Sequence, residues 1–162
     1  MCRNFDAHTF IHKMMLAWVK DLSALGGLPA YSFAIVALLA LGKISLAAYL
    51  LAAFIIGLLI AFAIRFLFPR ERPDSKLSKG NILERLDSSS FPSVHSFRAT
   101  TLGCLFYASS PSYATLAAAI ILIAAVSYAR VSIKRHHKSD VIGGIVLGFL
   151  VTVGLLRFSL WM

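Results

Sequence analysis

Apolar residues fall along this chain in five long stretches, separated by short polar breaks and by one long one. The pattern predicts helices over about Leu28–Leu41, Ile44–Phe68, Pro92–Ser109, Ser112–Arg130 and Ser139–Trp161. The second of these exceeds the roughly 20 apolar residues that carry a helix across a bilayer. Gly42-Lys43 and Pro111 mark tight turns, and Ser139 stands where a serine N-cap would open the last helix. Ahead of the spans, Ile11, Met14, Met15, Trp18, Val19 and Leu22 share one helical face, with His8, His12, Lys13, Lys20 and Asp21 largely elsewhere. That spacing predicts an amphipathic helix over residues 5–22, lying in the membrane interface and ended by Gly26-Gly27. The long break, Pro69–Phe91, is polar, interrupted by prolines and reads as loop. The expected fold is all-α: a polytopic membrane helix bundle of about five transmembrane helices plus the interfacial helix, in a single domain over residues 1–162.

Composition agrees with a membrane home. Hydrophobic residues make up 59% and charged residues 14%, too few polar groups to cover a water-facing surface. The net charge of +9 is compatible with nucleic acid in isolation, but the cations sit beside the spans, where anionic head groups or phosphate substrates are the fitting partners. Cys2 and Cys104 form no disulfide framework, one being terminal and the other within a span. The N-terminal apolar residues are periodic rather than continuous, unlike a cleavable signal peptide. Five spans put the N-terminus, the long loop and the Arg130–Ser139 segment on one side of the membrane. All seven acidic residues fall on that side, and Lys43 and Arg157 are the two basic residues near the other. The positive-inside rule would make the charged side cytoplasmic, but several of its cations have a chemical reason to be there, so the side stays open.

Three clusters on the charged side can carry chemistry. Arg65 lies inside an apolar run, where a central Arg costs roughly 2.5–3.5 kcal/mol unless it snorkels to the interface, and Arg72-Pro73 follow it. Pro92-Ser93-Val94-His95 open a helix, whose free backbone N–H groups form an anion cradle with a histidine one turn in. The stretch Ala129–Asp140 places Arg130 six residues before His136 and Asp140 four residues after it. An Arg there can fork onto phosphate oxygens, and a carboxylate can hold one imidazole nitrogen while the other reacts. His137 competes for the same role but stands three residues from Asp140. Lys134, Arg135 and Lys138 are read as loop or head-group cations without chemistry.

Together the clusters resemble the signature of the type 2 phosphatidic acid phosphatase family, which shares its core with vanadium haloperoxidases. That signature is Lys, six residues, Arg-Pro; then Pro-Ser-Gly-His; then Ser-Arg, five residues, His, three residues, Asp. The chain has Arg65, six residues, Arg72-Pro73; Pro92-Ser93-Val94-His95; and Ala129-Arg130, five residues, His136, three residues, Asp140. Arg65 replaces Lys, Val94 replaces Gly and Ala129 replaces Ser; none of these changes removes a catalytic group.

The resemblance implies a metal-independent phosphatase with no cofactor. In it His136 is the nucleophile, forming a phosphohistidine, Asp140 holds its other nitrogen and His95 is the general acid and base. Arg65, Arg72, Ser93, the Val94 N–H and Arg130 bind phosphate. The implied partner is a lipid phosphate or diphosphate in a multi-pass, prokaryotic cell membrane. A polyprenyl diphosphate is the first candidate, with phosphatidic acid or phosphatidylglycerophosphate as the alternative. An inactive lipid-phosphate-binding module or a transporter is the non-enzymatic alternative.

Overall fold

The computed structural model describes residues 7–159, so the outermost residues of the predicted first and last helices, 5–6 and 160–161, lie outside the described part. The side chains of residues 7–12, which include Ile11, His8 and His12, lie outside it as well. Seven helices follow one another: α1 (Ala7–Ala24), α2 (Leu28–Ala40), α3 (Ile44–Leu67), α4 (Ile82–Ser88), α5 (Val94–Ser109), α6 (Tyr113–Ser132) and α7 (Lys138–Ser159). Helices α2, α3, α5, α6 and α7 are the five apolar stretches, and α1 is the predicted N-terminal helix. The short helix α4 lies within the segment predicted as loop. The Asn81 side chain starts it by accepting from the Glu84 N–H at 3.1 Å.

Among the described residues, α3, α6 and α7 are individually long and apolar enough to cross a membrane. Helices α1 and α2 meet at a 44° break and pass the same test as one bent span. The break falls at Gly26-Gly27, and Gly26 has no room for a side chain: a Cβ there would stand 2.7 Å from Val126 Cγ1 and 2.8 Å from the His95 carbonyl oxygen. The predicted interfacial helix is thus the first arm of a bent pair, leaning on α6.

Helix α5, at 16 residues, is shorter than those spans and carries more polar side chains, for a physical reason. It is the inner helix of the bundle, with Ser96, Phe97, Arg98, Ala99, Thr100, Thr101, Gly103 and Leu105 all buried. A helix surrounded by protein need not match lipid. Its hydroxyls are satisfied within the helix, Thr100 donating to the Ser96 carbonyl at 2.8 Å and Thr101 to the Arg98 carbonyl at 3.0 Å. Neighbouring helices approach it through glycines. A Cβ at Gly57 of α3 would overlap the Phe97 ring, and one at Gly144 of α7 would lie 2.3 Å from the Ser93 carbonyl oxygen. These contacts fix the start of α5 against α3 and α7.

Candidate active site

The inward stripe of α3 runs Ala47, Leu50, Ala53, Gly57, Ala61 and ends in Arg65. Its helical spacing turns Arg65 towards protein, not lipid, and the side chain is 6% exposed. The guanidinium donates to the Leu86 carbonyl at 3.1 Å and the Pro92 carbonyl at 3.2 Å, tying α4 and the entry to α5 onto the end of α3. Arg72 sits in a backbone-paired turn with Ser75 and donates to the Asp87 carbonyl.

Ser93 is the N-cap of α5. Its Oγ accepts from the Ser96 N–H at 3.4 Å and from the Ser96 hydroxyl at 3.1 Å. Oγ is thus engaged as an acceptor at the helix start and the residue is fully buried; Ser93 is not among the residues that line the cavity, where phosphate binding was expected of it. What it provides is the orientation of the Val94 and His95 turn.

After α6 the chain reverses through Lys134, whose φ of 56° is the left-handed conformation. The N–H groups of Arg135 and His136 both return to the Arg130 carbonyl, at 3.2 and 3.3 Å. That reversal brings His136 inside, 3% exposed. Its Nδ1 lies 2.8 Å from the Ser90 carbonyl oxygen and its Nε2 lies 3.2 Å from an Arg130 terminal nitrogen. A carbonyl can only accept and a guanidinium can only donate, so the proton belongs on Nδ1 and the lone pair on Nε2. Arg130 is held in turn by the Ser23 hydroxyl of α1 at 3.1 Å.

Asp140 departs from its expected part. Its Oδ2 is 3.9 Å from His136 Nδ1, and the Ser90 carbonyl makes the orienting hydrogen bond instead. The carboxylate is already committed. Oδ1 accepts from Arg70 at 2.7 Å, and Oδ2 accepts from the His137 N–H at 2.7 Å with His137 Nδ1 at 3.1 Å. An acid in the first turn reaching back to the N–H ahead of the helix is the capping-box arrangement, so Asp140 caps α7. Ser139, predicted as that cap, takes a 2.8 Å bond from Arg70. Asp140 also receives the Ser93 N–H on its backbone carbonyl at 2.9 Å, joining the starts of α5 and α7.

The groups converge on a cavity of about 210 Å³ lined by Arg65, Arg72, Arg98, Arg130, His95, His136, Val94 and Asp87, with Leu58 and Phe62 on the α3 side. Six sequence-predicted residues meet there, whereas Ser93 and Asp140 stand behind the wall. The Nε atoms of Arg65, Arg72, Arg98 and Arg130 are all buried without a hydrogen-bond partner. With four guanidinium groups and one carboxylate, Asp87, the lining of the cavity is strongly cationic. Sequence reasoning missed Arg98, Arg70 and the Ser90 carbonyl. Arg98 carried the same signal as Arg65, a cation inside an apolar helix. Arg70 is one more charge in a charged loop, and no sequence pattern marks a carbonyl that will orient a histidine.

Burial, reinforced by the charge of Arg130, lowers His136 from 6.5 to about 3. Its ring is therefore held neutral in the physiological range. Imidazole ¹⁵N spectra recorded from pH 8 to 5 should keep one histidine neutral as the Nδ1–H tautomer. Titration near 6.5 of the ring whose signals are lost in His136→Ala would contradict this environment. Between pH 6.5 and 3 the unfolded chain takes up a proton that the folded chain refuses, so this group lowers stability as pH falls.

The fold matches two solved structures. Aquifex aeolicus LpxE aligns with a TM-score of 0.74 at 18% identity, over 89% of this chain and 86% of that one. The first transmembrane PAP2-type phosphatidylglycerolphosphate phosphatase from Bacillus subtilis aligns with a TM-score of 0.70 at 21% identity, over 92% and 78%. No curated protein sequence matches the chain. The family model described as the PAP2 superfamily matches residues 44–161, which hold all the residues of α3, α4, α5, α6 and the connecting loops that line the cavity. With that match spanning most of its length, the chain belongs to the PAP2 superfamily.

Proposed function

We propose that the chain is an integral-membrane lipid phosphatase working through a phosphohistidine on His136. The observation that carries the reading is the pairing of a lone pair on His136 Nε2 with a cavity lined by four arginines. In the first step Nε2 forms a bond to phosphorus and the bond to the leaving oxygen breaks. Where that oxygen is the alkoxide of a lipid monophosphate, His95 gives it a proton; where it is the bridging oxygen of a diphosphate, the departing lipid phosphate can carry the charge. The bound phosphate supplies the negative charge that favours a protonated His95. In the second step water attacks phosphorus, His95 takes back a proton, the N–P bond breaks and inorganic phosphate leaves. Arg65, Arg72, Arg130 and the Val94 N–H stabilise the charge that builds on the phosphoryl oxygens. When the phosphoryl group arrives, it replaces His136 Nε2 as the acceptor of the Arg130 donor. Asp140 holds the turn that carries His136 and fixes α7 to α5.

The substrate is a membrane lipid ending in phosphate or diphosphate, with a polyprenyl diphosphate as the first candidate. PAP2 membership and the fold shared with a phosphatidylglycerolphosphate phosphatase support the lipid phosphatase class. Phosphate release by the purified chain from a panel of lipid phosphates in detergent tests the reading. Release from none of them would overturn it.

The mechanism assigns no step to a metal. Among the described residues no three His, Cys, Asp or Glu side chains come together as a ligand group. Activity should persist in excess EDTA, and vanadate, which adopts the trigonal bipyramidal shape of phosphoryl transfer, should inhibit. An absolute requirement for Mg²⁺ would refute this chemistry.

A further inference from the structure

Arg98 has no part in the steps above, yet it is the cation the fold least needs. It lies three residues past His95 on α5, about 4.5 Å of helix rise further along. Its side chain stacks over the Phe54 ring, with Cζ 5.3 Å from the ring centroid, and reaches the cavity. The residue is 9% exposed and its Nε is buried without a partner. Among the described residues no carboxylate pairs with it. A buried cation without a counter-ion is destabilising, and the aromatic face offsets only part of that. A ligand that supplies the missing charge accounts for its presence.

The charge of the walls suggests which ligand. Four guanidinium groups face one carboxylate, Asp87, and His136 is neutral. A phosphomonoester brings a charge of about −1.5 to −2 at pH 7, and a diphosphate monoester roughly one negative charge more on a second phosphorus. Arg65, Arg72 and Arg130 suffice for the oxygens of one phosphoryl group. Arg98 stands on the same helix as His95, the side to which the leaving oxygen departs.

We infer that Arg98 binds the second phosphate of a lipid diphosphate, the one that stays with the lipid while His136 takes the terminal one. The inference rests on the phosphatase reading and selects the diphosphate within it. His136 Nε2 bonds to the terminal phosphorus, the bond from that phosphorus to the bridging oxygen breaks, and the electron pair remains on the departing lipid monophosphate. Arg98 stabilises that charge. Hydrolysis of the phosphohistidine then releases inorganic phosphate.

The test compares farnesyl diphosphate with farnesyl monophosphate, using the full chain in detergent and reading kcat/KM from phosphate release. The wild type should prefer the diphosphate by at least about tenfold, as expected where a site holds an open donor for the extra group. Arg98→Met keeps a side chain that packs on Phe54. It should lower kcat/KM for the diphosphate at least about tenfold more than for the monophosphate, reducing the preference towards unity. Arg98→Lys, which keeps the charge without the planar fork, should restore part of that preference. Removing an unpaired buried charge should leave the melting temperature of Arg98→Met unchanged or higher. Equal losses on both substrates, no loss on either, a wild-type preference for the monophosphate, or a fall in melting temperature accompanying equal losses would each overturn the inference while leaving the phosphatase reading intact. No phosphate from either substrate with the wild type would overturn both.

Discussion

Replacing His136 with alanine is expected to lower kcat by roughly 10⁴–10⁶-fold, the scale on which enzymes lose turnover with their nucleophile. The same change at His137 should cost less than about tenfold, the worth of one partly exposed hydrogen bond. The adjacent rings have opposite surroundings. His136 is enclosed, its Nδ1 proton fixed by the Ser90 carbonyl and its Nε2 turned to Arg130 at the cavity. The His137 side chain is 39% exposed and turned to Asp140, 3.1 Å from the carboxylate. Proximity to the acid alone would choose His137, because His136 is 3.9 Å from it. Access to the arginine-lined cavity decides for His136. Kinetics of the two variants on a lipid phosphate, with radiolabel trapped on the wild-type protein by rapid quench, would check it. Turnover surviving in His136→Ala but lost in His137→Ala would show that the nucleophile had been misassigned by one residue.

The sequence made the helices legible because α3, α6 and α7 are long and apolar, and the helix ends are marked by Gly42, Pro69 and Pro111. It also placed Arg65, Arg72, Val94, His95, Arg130 and His136 at one end of the bundle, where they line a common cavity. Helical periodicity explains why: Arg65 closes a stripe of small inward residues on α3, and a short turn after α6 suffices to bring His136 back beneath Arg130. Helix α4 was obscured because a seven-residue helix gives too few turns for a periodic signal, and its Asn81 cap looks like ordinary loop composition.

The roles of Ser93 and Asp140 were not legible for a different reason. Each carries a side chain that can serve either the substrate or a helix terminus, and spacing alone does not say which. At Ser93 the first turn of α5 takes Oγ as its acceptor. At Asp140 the start of α7 and Arg70 claim the carboxylate. The competition matters for the proposed mechanism, in which an acid that fixes the loop under His136 would position that ring without polarising it. That leaves the Ser90 carbonyl, an uncharged acceptor, as the group that sets the His136 tautomer. A neutral acceptor favours the imidazolium less than a carboxylate in direct contact would, consistent with a His136 that burial and Arg130 keep unprotonated.

The role of His95 can be separated from its mere necessity by varying the leaving group. A general acid matters in proportion to how badly the departing oxygen needs a proton. A lipid alkoxide is a poor leaving group, so His95→Ala should slow phosphoryl transfer from an alkyl phosphate by about 10²–10⁴-fold. A nitrophenolate leaves without help, so the same variant should transfer phosphate from nitrophenyl phosphate with a much smaller loss. Water attack on the phosphohistidine still needs a base, which places the remaining defect in the second step. The variant should therefore show a stoichiometric burst of nitrophenol followed by slow turnover, with phosphate accumulating on His136. The position of His95 supports this division of labour, since it lines the same cavity as His136 from the first turn of α5, a helix start fixed by the Ser93 cap and the Pro92 carbonyl held by Arg65. Stopped-flow measurement of nitrophenol release and acid-labile phosphate would read both steps in one experiment. Equal loss of the first step on both substrates, without a burst, would mean that His95 binds phosphate or supports the fold rather than moving a proton.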